Sequence, residues 1–228
     1  MAGKVQDPEL EELEIEEIEC DEELSLFEQY RTPIIGGAIA VAAVVLGLVG
    51  WNYLQNQKNT EANAAMFKAV EKFEADSLQL ALRGDGTYLG LEDIASEYSG
   101  TDAGNQANYY LGVAYLKDDS LDDATGIEYL ESVSASGNTL AMARDVALAF
   151  AYERQEDFDK AAGLFKSAAY TPESNDSSTP YLLLEAGRCY ELAGDPDAAL
   201  DVYETIKADF PSSSEAGSID KYIGRVSR

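Results

Sequence analysis

Histidine is absent from this 228-residue chain, and the only cysteines are Cys20 and Cys189. The first absence removes the commonest general base and the commonest nitrogen ligand for metals. The second leaves too little sulfur, too far apart, for a zinc cluster or a disulfide framework. Basic residues are scarce too. Sixteen Lys and Arg stand against 43 Asp and Glu, for a formal net charge of −27. Such a chain cannot neutralise a phosphate backbone, which excludes nucleic acid as a partner. No nucleophile–base pair, phosphate loop or cofactor fingerprint is visible. The sequence therefore predicts no catalytic residues, no cofactor and no metal, and the protein reads as a non-enzyme. What is present is a 46% hydrophobic composition, enough for a genuine core.

Charge divides the chain into three segments. Residues 1–30 hold twelve acids against Lys4, and residues 31–54 carry only Arg31, which leaves a net −17 on residues 55–228. The first segment, 1–30, is an acidic tail with a thin apolar thread, expected to be disordered or partly helical. It serves either as a solubiliser or as a segment that folds onto a basic partner. The second, over 33–54, reads TPIIGGAIAVAAVVLGLVGWNYL in its surroundings and is uncharged from Ile34 to Trp51. At 1.5 Å per residue it reaches about 27–32 Å, the thickness of a bilayer core. Tyr30 on one side and Trp51 and Tyr53 on the other match an interfacial aromatic belt. The run is too long, starts too late and follows too many acids for a cleaved signal peptide. A permanent single-pass transmembrane helix is expected. Gly36 with Ala40, and Ala43 with Gly47, would permit close approach of another membrane helix. Arg31 flanks one end and Lys58 the other, so the basic-residue rule is nearly silent on orientation.

The third segment, 59–213, contains a repeat. Gly112 and Tyr115, Ala149 and Tyr152, and Gly187 and Tyr190 recur at intervals of 37–38 residues, a solenoid period. Twelve residues after each small residue stands an alanine: Ala124, Ala161 and Ala199. Eight residues after it stands a capping residue, Ser120, Asp157 or Asp195, the last followed by Pro196. Ser, Asp and a following proline are helix-start signals. Phe165 and Tyr203 fill an aromatic slot four residues beyond the alanine, where Glu128 breaks the pattern.

This spacing resembles the tetratricopeptide repeat (TPR) family. The clearest unit is 180–213, with Leu183, Gly187, Tyr190, Ala199, Tyr203 and Pro211 in the family's slots. Units 105–138 and 142–175 match moderately, the latter with Pro172 one place early. A degenerate unit, 68–101, carries Ala75, Leu78, Leu91 and Ile94, with an insert at Gly84-Asp85-Gly86 that reads as a helix–helix turn. The resemblance implies an all-α fold: a superhelix of three clear TPR hairpins and a degenerate first one, following the transmembrane helix. Residues 214–228 are expected to add a short capping helix. The acidic run DDSLDDA, Asp118 to Ala124, reads as helix-start chemistry, with Ser120 and Asp123 as a capping box, rather than as a calcium loop. Cys189 is expected to be a buried hydrophobe.

In TPR proteins the concave groove is lined by helix A of each repeat. Carried over, its peptide-binding positions are Tyr109, Val113 and Leu116; Val146, Phe150 and Glu153; and Tyr181, Leu184 and Arg188. Gln106, Ala143 and Glu191 occupy further slots. The face is apolar and aromatic, which suits peptide segments, although Tyr109, Phe150 and Tyr181 could equally pack on neighbouring helices. The clamp of Lys and Asn that grips chaperone carboxyl termini is missing. The whole architecture resembles the YfgM-like ancillary subunits of the Sec translocon. That resemblance implies a bacterial inner-membrane protein with its tail in the cytoplasm and its TPR domain in the periplasm. The implied partners are SecYEG, a periplasmic chaperone and nascent polypeptides, in a scaffold or chaperone-like role. The alternative is a structural tether in a cell-envelope assembly, binding through its membrane helix and convex surface.

Overall fold

The computed structural model of the chain describes residues 18–134, 139–171 and 174–227, with side chains from residue 34 onward. The first part of the acidic tail, the side chains of Cys20, Tyr30 and Arg31, and Pro172 lie outside the described residues. Contacts divide the chain into two compact units, one ending at Gln55 and one beginning at Asn56. The first unit consists of helix α1, Ile18–Glu74, as far as Gln55. Every side chain from Ile34 to Leu54 is exposed, and Trp51 is 69% so. The helix has a mean hydropathy of 2.4 over its most apolar 18 residues, none of them buried. It is long and apolar enough to cross a membrane.

The second unit is all-α. Three helical hairpins follow one another: α4 (Asp102–Lys117) with α5 (Asp123–Ser132), α6 (Thr139–Arg154) with α7 (Phe158–Ala169), and α8 (Ser178–Ala193) with α9 (Pro196–Asp209). Ahead of them, the end of α1 packs with two short helices, α2 (Leu78–Arg83) and α3 (Leu91–Glu97). Here the degenerate unit departs from its expected form. Ala75 is exposed in a break between α1 and α2, where Asp76 takes φ 58°, while Leu91 and Ile94 are fully buried. The insert closes as a turn through a Gly84–Leu89 bridge, with Gly84 at φ +69°, a conformation that favours glycine. A 3₁₀ turn (Ala216–Ser218) then leads into α10 (Ile219–Val226), which covers α9.

Helix starts explain the register of the hairpins. Asp157 and Asp195 cap α7 and α9 by accepting the Lys160 and Ala198 amides, and Pro196 follows as the first helical residue. In the first hairpin the expectation fails. Asp122, not Ser120, caps α5 by accepting from the Thr125 amide at 3.1 Å. Ser120 instead bonds back to Asp118 within the turn. The α4–α5 turn is thus two residues longer than the spacing of the other hairpins allows. All downstream slots move with it. Ala124 is exposed, and Gly126 takes the buried position held by Ala161 and Ala199 in the later hairpins. Leu130 takes that of Phe165 and Tyr203. With the longer turn the slot falls on buried Leu130, and exposed Glu128 lies outside it.

The small residues mark where helices meet. A Cβ on Gly112 would lie 2.5 Å from the Leu130 Cγ and 2.8 Å from the Gly126 carbonyl oxygen, and one on Gly187 would overlap the Tyr203 ring. The core built around these contacts has three parts. One joins the end of α1 to α4, and a large one runs from Ala149 to Ile219. Between them, Ile127, Leu130, Leu148 and Ala151 form a small bridge.

Candidate functional site

Tyr109, Val113 and Leu116 follow one another at helical spacing on α4, as Val146, Phe150 and Glu153 do on α6, so each trio shares a face. Where these faces meet, they enclose an open cavity of about 600 Å³. Tyr109, Val113 and Leu116 form one wall. Met142, Val146 and Phe150 form the other, with Ala143, Ala147 and Ala151 leaving room between them. Lys117 and Arg154, at the C-terminal ends of the two helices, edge the opening.

The aromatic side chains are held rather than free. Phe150 is 41% exposed, yet its ring meets that of buried Phe165 edge-on at 5.0 Å. Tyr109 packs against Tyr110 at 5.6 Å, and burial raises the pKa of its phenol above the ordinary value. Such edge-to-face pairs fix ring orientation as well as burying area. The two cations at the opening are also committed. Lys117 pairs with Asp76 at 2.6 Å. Arg154 donates to both oxygens of Asp123 at 2.7 Å and to the Leu116 carbonyl, tying the second hairpin to the first.

The other four positions lie outside this cavity. Tyr181, Leu184 and Arg188 sit on α8, with Tyr181 43% exposed. Glu153, half-buried at the end of α6, is close enough to Tyr181, Arg188 and Cys189 for its charge to act on each. Arg188 itself donates to both oxygens of buried Glu185, at 3.1 and 2.8 Å. Among the further slots, Ala143 lines the cavity and Gln106 does not. Glu191 is closed off, because its carboxylate accepts from Arg225 of α10 and from the Tyr203 hydroxyl. Burial works against that charge, but the bonds from Arg225 and Tyr203 prevail and hold the carboxyl below its ordinary pKa.

Met142, Ala147, Ala151 and Arg154 escaped the sequence reading. Met142, Ala147 and Arg154 each lie three or four residues from a predicted position on α6 and Ala151 lies beside Phe150, so the lining is a wider strip than one residue per turn. The acidic run is absorbed by structure: Asp118 holds Ser120, Asp122 caps α5 and Asp123 binds Arg154. Cys189 is fully buried, and burial first, then the charges of Glu153 and Glu185, push its thiol up to about 12. It stays protonated and packs as a small hydrophobe.

The cavity is walled by the first helices of successive hairpins and its lining is mostly apolar. No curated protein matches the chain. The sequence does match the tetratricopeptide repeat-like domain over residues 25–209, which takes in all three hairpins, the short helices before them and the apolar stretch of α1. The chain belongs to the tetratricopeptide repeat-like domain family.

Proposed function

We propose that the protein is a membrane-anchored interaction module that holds polypeptide segments on the concave face of its repeats. The observation that carries this reading is the cavity between α4 and α6, about 600 Å³ in volume and walled by Tyr109, Val113, Val146 and Phe150. Ligand-sized clefts are lined in this way, predominantly apolar with a few polar groups at the edge. Repeat folds expose such surfaces because each hairpin contacts only its neighbours. The exposed apolar stretch of α1 supplies the anchor. Its likeness in plan to the ancillary subunits of the Sec translocon makes the bacterial inner membrane the proposed location. The tail then lies in the cytoplasm and the repeats in the periplasm, with SecYEG, a periplasmic chaperone and emerging polypeptides as partners.

The test places photoreactive residues at Tyr109, Phe150 and Tyr181 in membranes. Adducts to the channel, a chaperone or nascent chains are expected from positions 109 and 150. If crosslinks arise only from the apolar helix or the convex surface, the groove reading fails and a tether remains. Protease digestion of the repeats from outside intact spheroplasts is expected, and protection would reject the periplasmic placement.

A further inference from the structure

We infer that the concave face selects segments carrying a basic side chain beside their apolar anchor, with Glu153 as the counter-charge. The inference rests on the groove reading above and specifies its occupant. The cavity itself offers a partner no free charge, since Lys117 is paired with Asp76 and Arg154 with Asp123. Glu153 stands one turn beyond Phe150 on the same face of α6. Its half-buried carboxylate makes no hydrogen bond or ion pair among the described residues. Arg188, a base whose charge it feels, is committed to Glu185. The local sum of Glu153, Glu185 and Arg188 is one negative charge, flanked by the exposed ring of Tyr181.

A half-buried carboxylate whose nearby base is already shared with Glu185 still attracts an incoming cation. Phe150 and Glu153 are about 4.5 Å apart along the helix axis, and an extended chain advances about 3.3 Å per residue. A lysine or arginine one or two positions from an apolar anchor therefore reaches Glu153 while the anchor occupies the cavity. The net −17 on residues 55–228 draws such segments in and repels acidic ones.

The test uses the full chain in detergent micelles and fluorescent peptides of equal length, one of Lys and Leu, one of Ser and Leu and one of Glu and Leu. Binding is read by anisotropy at low and moderate salt. The Lys–Leu peptide is expected to bind tightest, with an advantage that shrinks as salt rises. Glu153→Gln should weaken it about ten- to a hundredfold, the range for a hydrogen bond to a charged group, and leave the Ser–Leu peptide unchanged. Asp197→Asn, an exposed acid on α9, is the control for the general field and should change neither. Equal loss in both variants, or no loss in Glu153→Gln, overturns the inference. The groove reading fails separately, if Val146→Glu leaves the binding of all three peptides unaltered.

Discussion

Gly187 has no side chain because the Tyr203 ring already holds the space where one would go. Tyr203 is fully buried and its hydroxyl donates to Glu191 at 2.6 Å, so the ring cannot swing aside without breaking that bond. Gly187→Ala should therefore destabilise the protein by about 1–3 kcal/mol, the range for overpacking a core, despite a better helix propensity. Gly163 is the opposite case. It lies inside α7 with open space around its Cα, and Gly163→Ala should add roughly 0.5–1 kcal/mol. Thermal unfolding of the full chain in detergent, followed by circular dichroism, separates the two. A Gly187→Ala variant as stable as the parent would show that helix spacing in the third hairpin is looser than the structure has it.

Among the elements, the hairpin turn between α4 and α5 shows how far sequence spacing can be trusted. Asp122→Ala should cost about 1 kcal/mol, the usual worth of a capping side chain. Ser120→Ala, at the residue the spacing favoured, should stay within about 0.5 kcal/mol. Reversed magnitudes in the same melting assay would restore the shorter turn. The third hairpin was legible almost residue by residue, because its cap, its glycine and its tyrosine sit at undisturbed intervals. The first hairpin was not, because two extra residues in a turn leave helical packing intact while shifting every downstream position. The break between α1 and α2 was also illegible, since nothing around Ala75 and Asp76 is a strong helix breaker. The site shows the same division. The faces of α4 and α6 could be read from helical spacing. Which pair of helices stands apart to form a cavity depends on how hairpins stack, and that lies in tertiary distance rather than in local pattern. Glu191 was placed in the groove on its position alone, whereas Arg225, 34 residues later, takes it out.

For the repeat unit as a whole, the core is unevenly continuous. Helix α7 packs extensively on α8, whereas α5 touches α6 far less, and among the described residues four buried side chains bridge the two larger clusters. Solenoid stability is approximately a sum of repeat and neighbour terms, so the thin joint should open before the rest. Native-state hydrogen exchange is expected to show amides of α5 opening at lower free energy than those of α7 and α8. Uniform protection from α4 to α9 would mean that the unit opens as one body. A different consequence follows from Trp51, the chain's single tryptophan, which lies in the exposed apolar stretch of α1. The repeats contain tyrosine and phenylalanine but no indole. Tryptophan emission from the native protein thus comes wholly from Trp51 and the solvent or lipid around it, and is blind to the repeats. Replacing Trp51 with Phe darkens the chain at those wavelengths. An indole then placed at Phe150 would be the only emitter, seated where the proposed peptide segment arrives.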